Sequence, residues 1–221
     1  LSGLYNIWTD ENYVYAATSS GLDVISLDTE ESVSFTTRAS GYTTVWANDT
    51  HVFLGTSDDG IKYLPKSRII PGEINSRVLN YVKEPDLISN NVKYIHGNEN
   101  KFMCCTEAGV NIVRPSTGYI TSTAISGALK CFVTPGEDYF YYMTSSSIYR
   151  LDGNAGFWSS ADRVYTTGSG FLATGTSLND IYVTEHTSVS GIDNTLFVVS
   201  DFGAHVYDEG SGYFVLFTTV S

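Results

Sequence analysis

Carboxylates gather where this chain turns. Asp58 and Asp59 fall in the segment SDDG, Glu107 in EAG and Asp201 in DFG, each between two apolar runs. Clustered carboxylate oxygens suit Ca²⁺, which takes about six to eight oxygen ligands. Asp58, Asp59, Glu107 and Asp201 are therefore the candidate ligand-binding residues, and calcium is the one cofactor they would suit. Tight turns also favour Asp for their own sake, because its side chain bonds nearby backbone N–H groups. The turn residues thus carry two readings, a cation site and simple turn chemistry.

Other reactive side chains form no recognisable machinery. His51, His96, His186 and His205 lie in separate segments without metal-ligand spacing. There is no G-x-S-x-G, no H-E-x-x-H and no phosphate-cradling glycine loop, so no catalytic residue is assigned. Cys104, Cys105 and Cys131 make no CxxC pair and are read as small core residues of a chain made in a reducing compartment. Asn48-Asp49-Thr50 matches the glycosylation pattern but falls in a tight turn.

The elements that position these residues repeat. Five copies run over Tyr5–Leu27, Val45–Leu64, Val92–Val113, Leu129–Leu151 and Asn179–Tyr207. Each reads as a strand, a polar turn, and a second strand that ends on Thr18, Thr56, Thr106, Thr144 or Ser200. A short turn and a third strand follow. Gly21, Gly60, Gly109 and Gly203 occupy that short turn, and Ser147 replaces glycine in the fourth copy. Outer strands are expected at SVSFTT, VLNYV, YITST, RVYTT and YFVLFTT. Copies of uneven spacing fit radial stacking, where insertions sit in loops, better than a rigid solenoid. The expectation is an all-β, five-bladed β-propeller forming one domain over residues 1–221. Trp8 and Trp46 hold equivalent first-strand places, which favours packing between blades over stacking on sugars.

Two stretches break the pattern. Pro65–Asn91 holds Pro65, Pro71 and Pro85, with one helical turn expected around Ile74, Val78 and Leu79. Glu185–Ile192 reads as an insertion between the first two strands of the last copy. Surface loops are where scaffolds place recognition. Tyr81, Lys83 and Leu87 in the first stretch, with His186 and Val189 in the second, are the candidate interface residues.

The formal charge of −12 speaks against nucleic acid and anionic lipid as partners. No apolar run is long enough to span a membrane as a helix.

The segments WTDENYVYAATSSGLDVI and VWANDTHVFLGTSDDGIKYL resemble propeller repeats of two groups. One is the sensor propellers of bacterial signalling proteins. The other is the small propellers of bacteriophage virion proteins, including spike and tail adhesins. The sensor group comes as long tandem arrays with a membrane segment and signalling domains, which these residues lack, so the virion group is the nearer expectation. That resemblance implies a non-enzymatic structural or attachment protein, on a virion or extracellular, whose partners are other virion proteins or a host-surface receptor or glycan. The alternatives are a lectin-like propeller and a five-bladed glycosidase. For the glycosidase, Asp180 is the only acid on an innermost strand, whereas that chemistry needs two carboxylates.

Overall fold

The computed structural model describes residues 3–36, 41–70, 79–82, 87–136, 138–153, 163–166, 177–188, 191–212 and 214–218, with only the backbone described for 79–82, 163, 186–188, 191, 192, 214, 216 and 218. Its strands form five four-stranded antiparallel sheets, and in every sheet neighbours in space are neighbours in sequence. Sheet one holds β1 (Leu4–Thr9), β2 (Tyr13–Thr18), β3 (Gly21–Ser26) and β4 (Ser32–Thr36). Sheet two holds β5 (Tyr42–Ala47), β6 (His51–Thr56), β7 (Ile61–Pro65) and β8 (Leu79–Val82). Sheet three holds β9 (Val92–Gly97), β10 (Phe102–Thr106), β11 (Val110–Arg114) and β12 (Tyr119–Thr123). Sheet four holds β13 (Lys130–Val133), β14 (Tyr139–Met143), β15 (Ser147–Asp152) and β16 (Arg163–Thr166). Sheet five holds β17 (Leu178–Ser188), β18 (Gly191–Ser200), β19 (Gly203–Asp208) and β20 (Phe214–Thr218). Each expected outer strand is present, and the five sheets coincide with the five repeats.

Period-two side-chain alternation gives every sheet two faces. On one face, called leading here, the first two strands place bulky rings: Trp8 and Tyr15, Trp46 and Phe53, Phe132 and Tyr141. The trailing face of the following sheet is mainly aliphatic. Tyr15, Val24 and Val33 of sheet one thus share a core with Val45, Leu54 and Leu64 of sheet two. Trp46 and Phe53 of sheet two share one with Ile95, Phe102 and Cys104 of sheet three, the Phe53 and Phe102 rings lying 4.8 Å apart. Tyr141 and Ile148 of sheet four meet Ile181, Leu196 and Val198 of sheet five. Fully burying each such side chain contributes about 1.5–3 kcal/mol. The three cysteines are buried thiols, none in a disulfide.

The chain divides into two compact units, residues 1–126 with the first three sheets and 127–221 with the last two.

The irregular stretches differ from expectation. After β7 the chain makes a single 3-10 turn at Lys66–Arg68, and Leu79 begins a strand. The helical turn expected at Ile74 and Val78 lies outside the described residues. Leu87 is corrected from interface to core. It is 1% exposed and packs among Trp46, Phe102 and Val113, because an aliphatic side chain in that position fills the space between two sheets. The described parts of Glu185–Ile192, residues 185–188 and 191–192, are strand. They continue β17 and β18 as a ladder through Glu185↔Asn194, His186↔Asp193, Thr187↔Ile192 and Ser188↔Gly191.

Candidate functional site

The turns between second and third strands show why a hydroxyl recurs there. Thr18 Oγ1 donates to the Gly21 carbonyl at 2.9 Å and accepts from the Gly21 N–H at 3.1 Å. Thr106 does the same with Gly109 at 2.9 and 3.2 Å. Thr56 donates to the Gly60 carbonyl at 2.9 Å, Thr144 to that of Ser147 at 3.3 Å and Ser200 to that of Gly203 at 3.1 Å. One hydroxyl therefore closes each turn. Glycine follows because the chain passes close to the outer strand. A Cβ at Gly21 would collide with the Phe35 carbonyl oxygen, and one at Gly109 with that of Thr123.

The four candidate carboxylates stand in these turns. Asp59 pairs with Lys62 at 3.1 Å, and its N–H donates to Thr56 Oγ1 at 2.8 Å. Glu107 Oε2 accepts from Asn91 Nδ2 at 3.1 Å, and Asp201 Oδ1 accepts from the Ser177 N–H at 2.9 Å. Asp58 lies beside Asp59 in the β6–β7 turn. Asp58, Asp59 and Glu107 belong to the first unit and Asp201 to the second. Among the described residues no three His, Cys, Asp or Glu side chains are grouped so as to hold a metal ion.

In sheets one to three the first turns use a carboxylate or amide as their staple. Asp10 Oδ1 accepts from the N–H groups of Asn12 and Tyr13, both at 2.8 Å. Asn48 Oδ1 accepts from those of Thr50 and His51, and Asn98 Oδ1 from those of Asn100 and Lys101. Asn48 is buried and its amide donates to the Glu99 carbonyl at 3.3 Å, so the glycosylation pattern there is spent on a turn.

The same turns reach the following sheet. Asp10 Oδ2 accepts from Lys66 Nζ at 2.6 Å and from the Tyr15 hydroxyl at 2.7 Å. Burial alone would raise the pKa of Asp10, but Lys66, Tyr15 and the two turn N–H groups outweigh it and hold the carboxyl below its ordinary value. The Asp49 N–H donates to the Glu99 carboxylate at 2.9 Å, and the Gly136 N–H to that of Glu185 at 3.2 Å. First strands are tied too. Asn6 Oδ1 accepts from the Val45 N–H at 3.0 Å, and Lys130 Nζ meets Asp180 Oδ2 at 3.2 Å. Asp180 is thus answered by a lysine, and it is not the only acid on a first strand, since β17 also carries Glu185. Thr43, the extra residue of a β-bulge in β5, donates to the Val92 carbonyl at 2.7 Å.

One polar group lies deeper. Glu209, at the end of β19, is buried and accepts from Arg150 Nη1 at 2.8 Å, the Tyr141 hydroxyl at 3.0 Å and Asn194 Nδ2 at 3.2 Å. The Tyr165 hydroxyl donates to its other oxygen. Arg150 also lies over the Tyr139 ring, 4.2 Å from its centre. Burial and then the Glu209 charge push the Tyr141 hydroxyl pKa well up, so it stays a donor. Reading the sequence missed Glu209, which sits in a stretch that looks like any polar turn. The available signal was Arg150, a cation inside the apolar strand IYRL.

Of the remaining candidate interface residues, Tyr81 lies on β8 and His186 on β17, both described for backbone alone. Lys83 and Val189 lie outside the described residues.

No protein-family model matches the chain, and no curated protein does. Solved structures do match. The extracellular domain of the hybrid two-component system BT4673 from B. thetaiotaomicron is similar over 98% of this chain at 11% identity, with a TM-score of 0.71. That of the hybrid two-component system BT3049 from the same organism is similar over 97% at 14% identity, with a TM-score of 0.65. This chain spans 29% and 30% of the length of those two extracellular-domain chains. The WD40 propeller domain of Doa1 is similar over 97% of this chain and 68% of its own, at 12% identity and a TM-score of 0.66. The fold is a β-propeller with five blades. At these identities the likeness speaks for fold alone.

Proposed function

We propose that the chain is a non-enzymatic binding module, an attachment or structural domain that meets a protein or a surface glycan through its edges. The observation that carries this reading is the β17–β18 hairpin. Its strands run 11 and 10 residues, whereas every other strand runs four to six. The hairpin extends beyond the strand length of the other blades, and extended, paired backbone is a rigid platform for recognition. The turn carboxylates support the same reading from the other side, since Asp59, Glu107 and Asp201 are each engaged by a neighbouring residue. Virion or extracellular placement, with other virion proteins or a host-surface receptor or glycan as partner, is the setting that the repeats' resemblance offers. Nucleic acid and membrane insertion form no part of the proposal, given the charge of −12.

The test is to replace residues 186–192 by a two-residue Asn-Gly turn and compare both chains on a glycan array and on intact bacterial cells. Retained folding with lost attachment is the expected result. Release of reducing sugar by the native chain, abolished by Asp180→Asn, would overturn the proposal in favour of a glycosidase.

A further inference from the structure

The β17–β18 ladder runs on past β19. The last rung between β18 and β19 is Thr195↔Asp208, and the next rung of β17 on β18 is Glu185↔Asn194. His186↔Asp193, Thr187↔Ile192 and Ser188↔Gly191 lie beyond it. A two-stranded ribbon is marginal by itself in water, so its direction has to be set where it leaves the sheet.

That place is gripped on both strands, by groups that all belong to the unit of residues 127–221. On β17, Glu185 reaches sheet four, where both its carboxylate oxygens accept from the Gly136 N–H at 3.2 Å. Glycine permits the approach, since a Cβ at Gly136 would stand only 3.3 Å from Glu185 Oε1. On β18, Asn194 is buried, its Nδ2 donates to Glu209 Oε2 and its carbonyl accepts from the Glu209 N–H at 2.9 Å. Arg150, Tyr141 and Tyr165 in turn fix the Glu209 carboxylate to sheet four. One residue further out, the chain at Gly210 closes on Asp193, whose carboxylate a Cβ at Gly210 would overlap. Glu185 and Asn194, cross-strand partners, are thus each bonded into sheet four, one directly and one through Glu209. Apolar packing would join the two sheets without setting an angle, whereas hydrogen bonds from fixed donors also set orientation.

We infer that Glu185 and Asn194 are positioning residues, which lock the direction of the hairpin to sheet four and hold it ready for its partner. The inference rests on the reading of this hairpin as the recognition element. A ribbon held in one direction loses less freedom on binding than one that swings, so the lock acts on affinity.

Residual dipolar couplings of backbone amides read the hairpin's direction without any partner. In the native chain, residues 186–188 and 191–192 should fit the same alignment tensor as β14, β15 and residues 196–199. In a chain carrying both Glu185→Ala and Asn194→Ala, with folding confirmed by a thermal melt, the hairpin should lose that fit while the sheets keep it. Binding of that variant to intact bacterial cells should fall severalfold. Glu185→Gln keeps an acceptor for the Gly136 N–H and should retain the fit. Gly136→Ala, which presses on the Glu185 carboxylate from sheet four, replaces the double variant should it not fold. A hairpin that fits the sheet tensor as well in the variants as natively overturns the inference, because the contacts would then be packing alone. So does a native hairpin that does not share the tensor. Lost fit with undiminished binding overturns it too, provided that the chain shortened at residues 186–192 does lose binding. Undiminished binding by the shortened chain, with the couplings as expected, leaves the lock standing and overturns the recognition reading instead.

Discussion

At the scale of single residues, most of the polar chemistry in this chain closes turns and ties sheets. The recurring hydroxyl and the Asp or Asn of the first turns were legible in the sequence as a pattern. Their purpose was not, because it depends on which backbone group each oxygen meets. Thr106→Val removes two turn hydrogen bonds while keeping the shape, and should cost roughly 1 kcal/mol in a urea melt. Glu209 was illegible, since its four partners come from β14, β15, β16 and β18. Glu209→Gln leaves the buried Arg150 without its counter-charge and should cost about 3 kcal/mol, measured the same way. Burial lowers the pKa of His96 to about 3, against an ordinary value of 6.5. Below pH 6.5 the unfolded chain takes up a proton that the folded one refuses, so stability falls as pH drops from 6.5 toward 3. His96→Phe should flatten part of that slope, and equal slopes in both proteins would show that His96 contributes nothing to it.

At the scale of elements, the twenty strands of the described residues were legible because alternation and turn residues mostly agree from copy to copy. The stretch Glu185–Ile192 misled because a broken repeat looks the same whether it loops out or extends a ladder. Only the cross-strand register, Glu185↔Asn194 onward, separates the two. Leu87 misled for a related reason, as an apolar residue between prolines can face out or in with equal ease. The shortened hairpin should melt near the native temperature, because the strands that remain are as long as those of the other blades and shortening a connection changes little entropy. A large loss of stability would make the extension part of the fold instead of a recognition element. The bulge at Thr43 was also invisible, since an extra strand residue leaves no mark in a period-two pattern.

At the scale of the whole molecule, five four-stranded sheets use several of their acidic residues to close turns and tie neighbouring segments. Four of the 24 acidic residues, Asp10, Glu99, Glu185 and Glu209, each tie together different segments of the chain. The most direct test is a crystal structure determined from crystals grown with calcium. The account predicts five four-stranded sheets, Asp59 on Lys62, Glu107 on Asn91 and Asp201 on the Ser177 N–H, with no ion bound by them. Calcium coordinated by Asp58, Asp59 or Glu107, or two packed sheets in place of five, would contradict it.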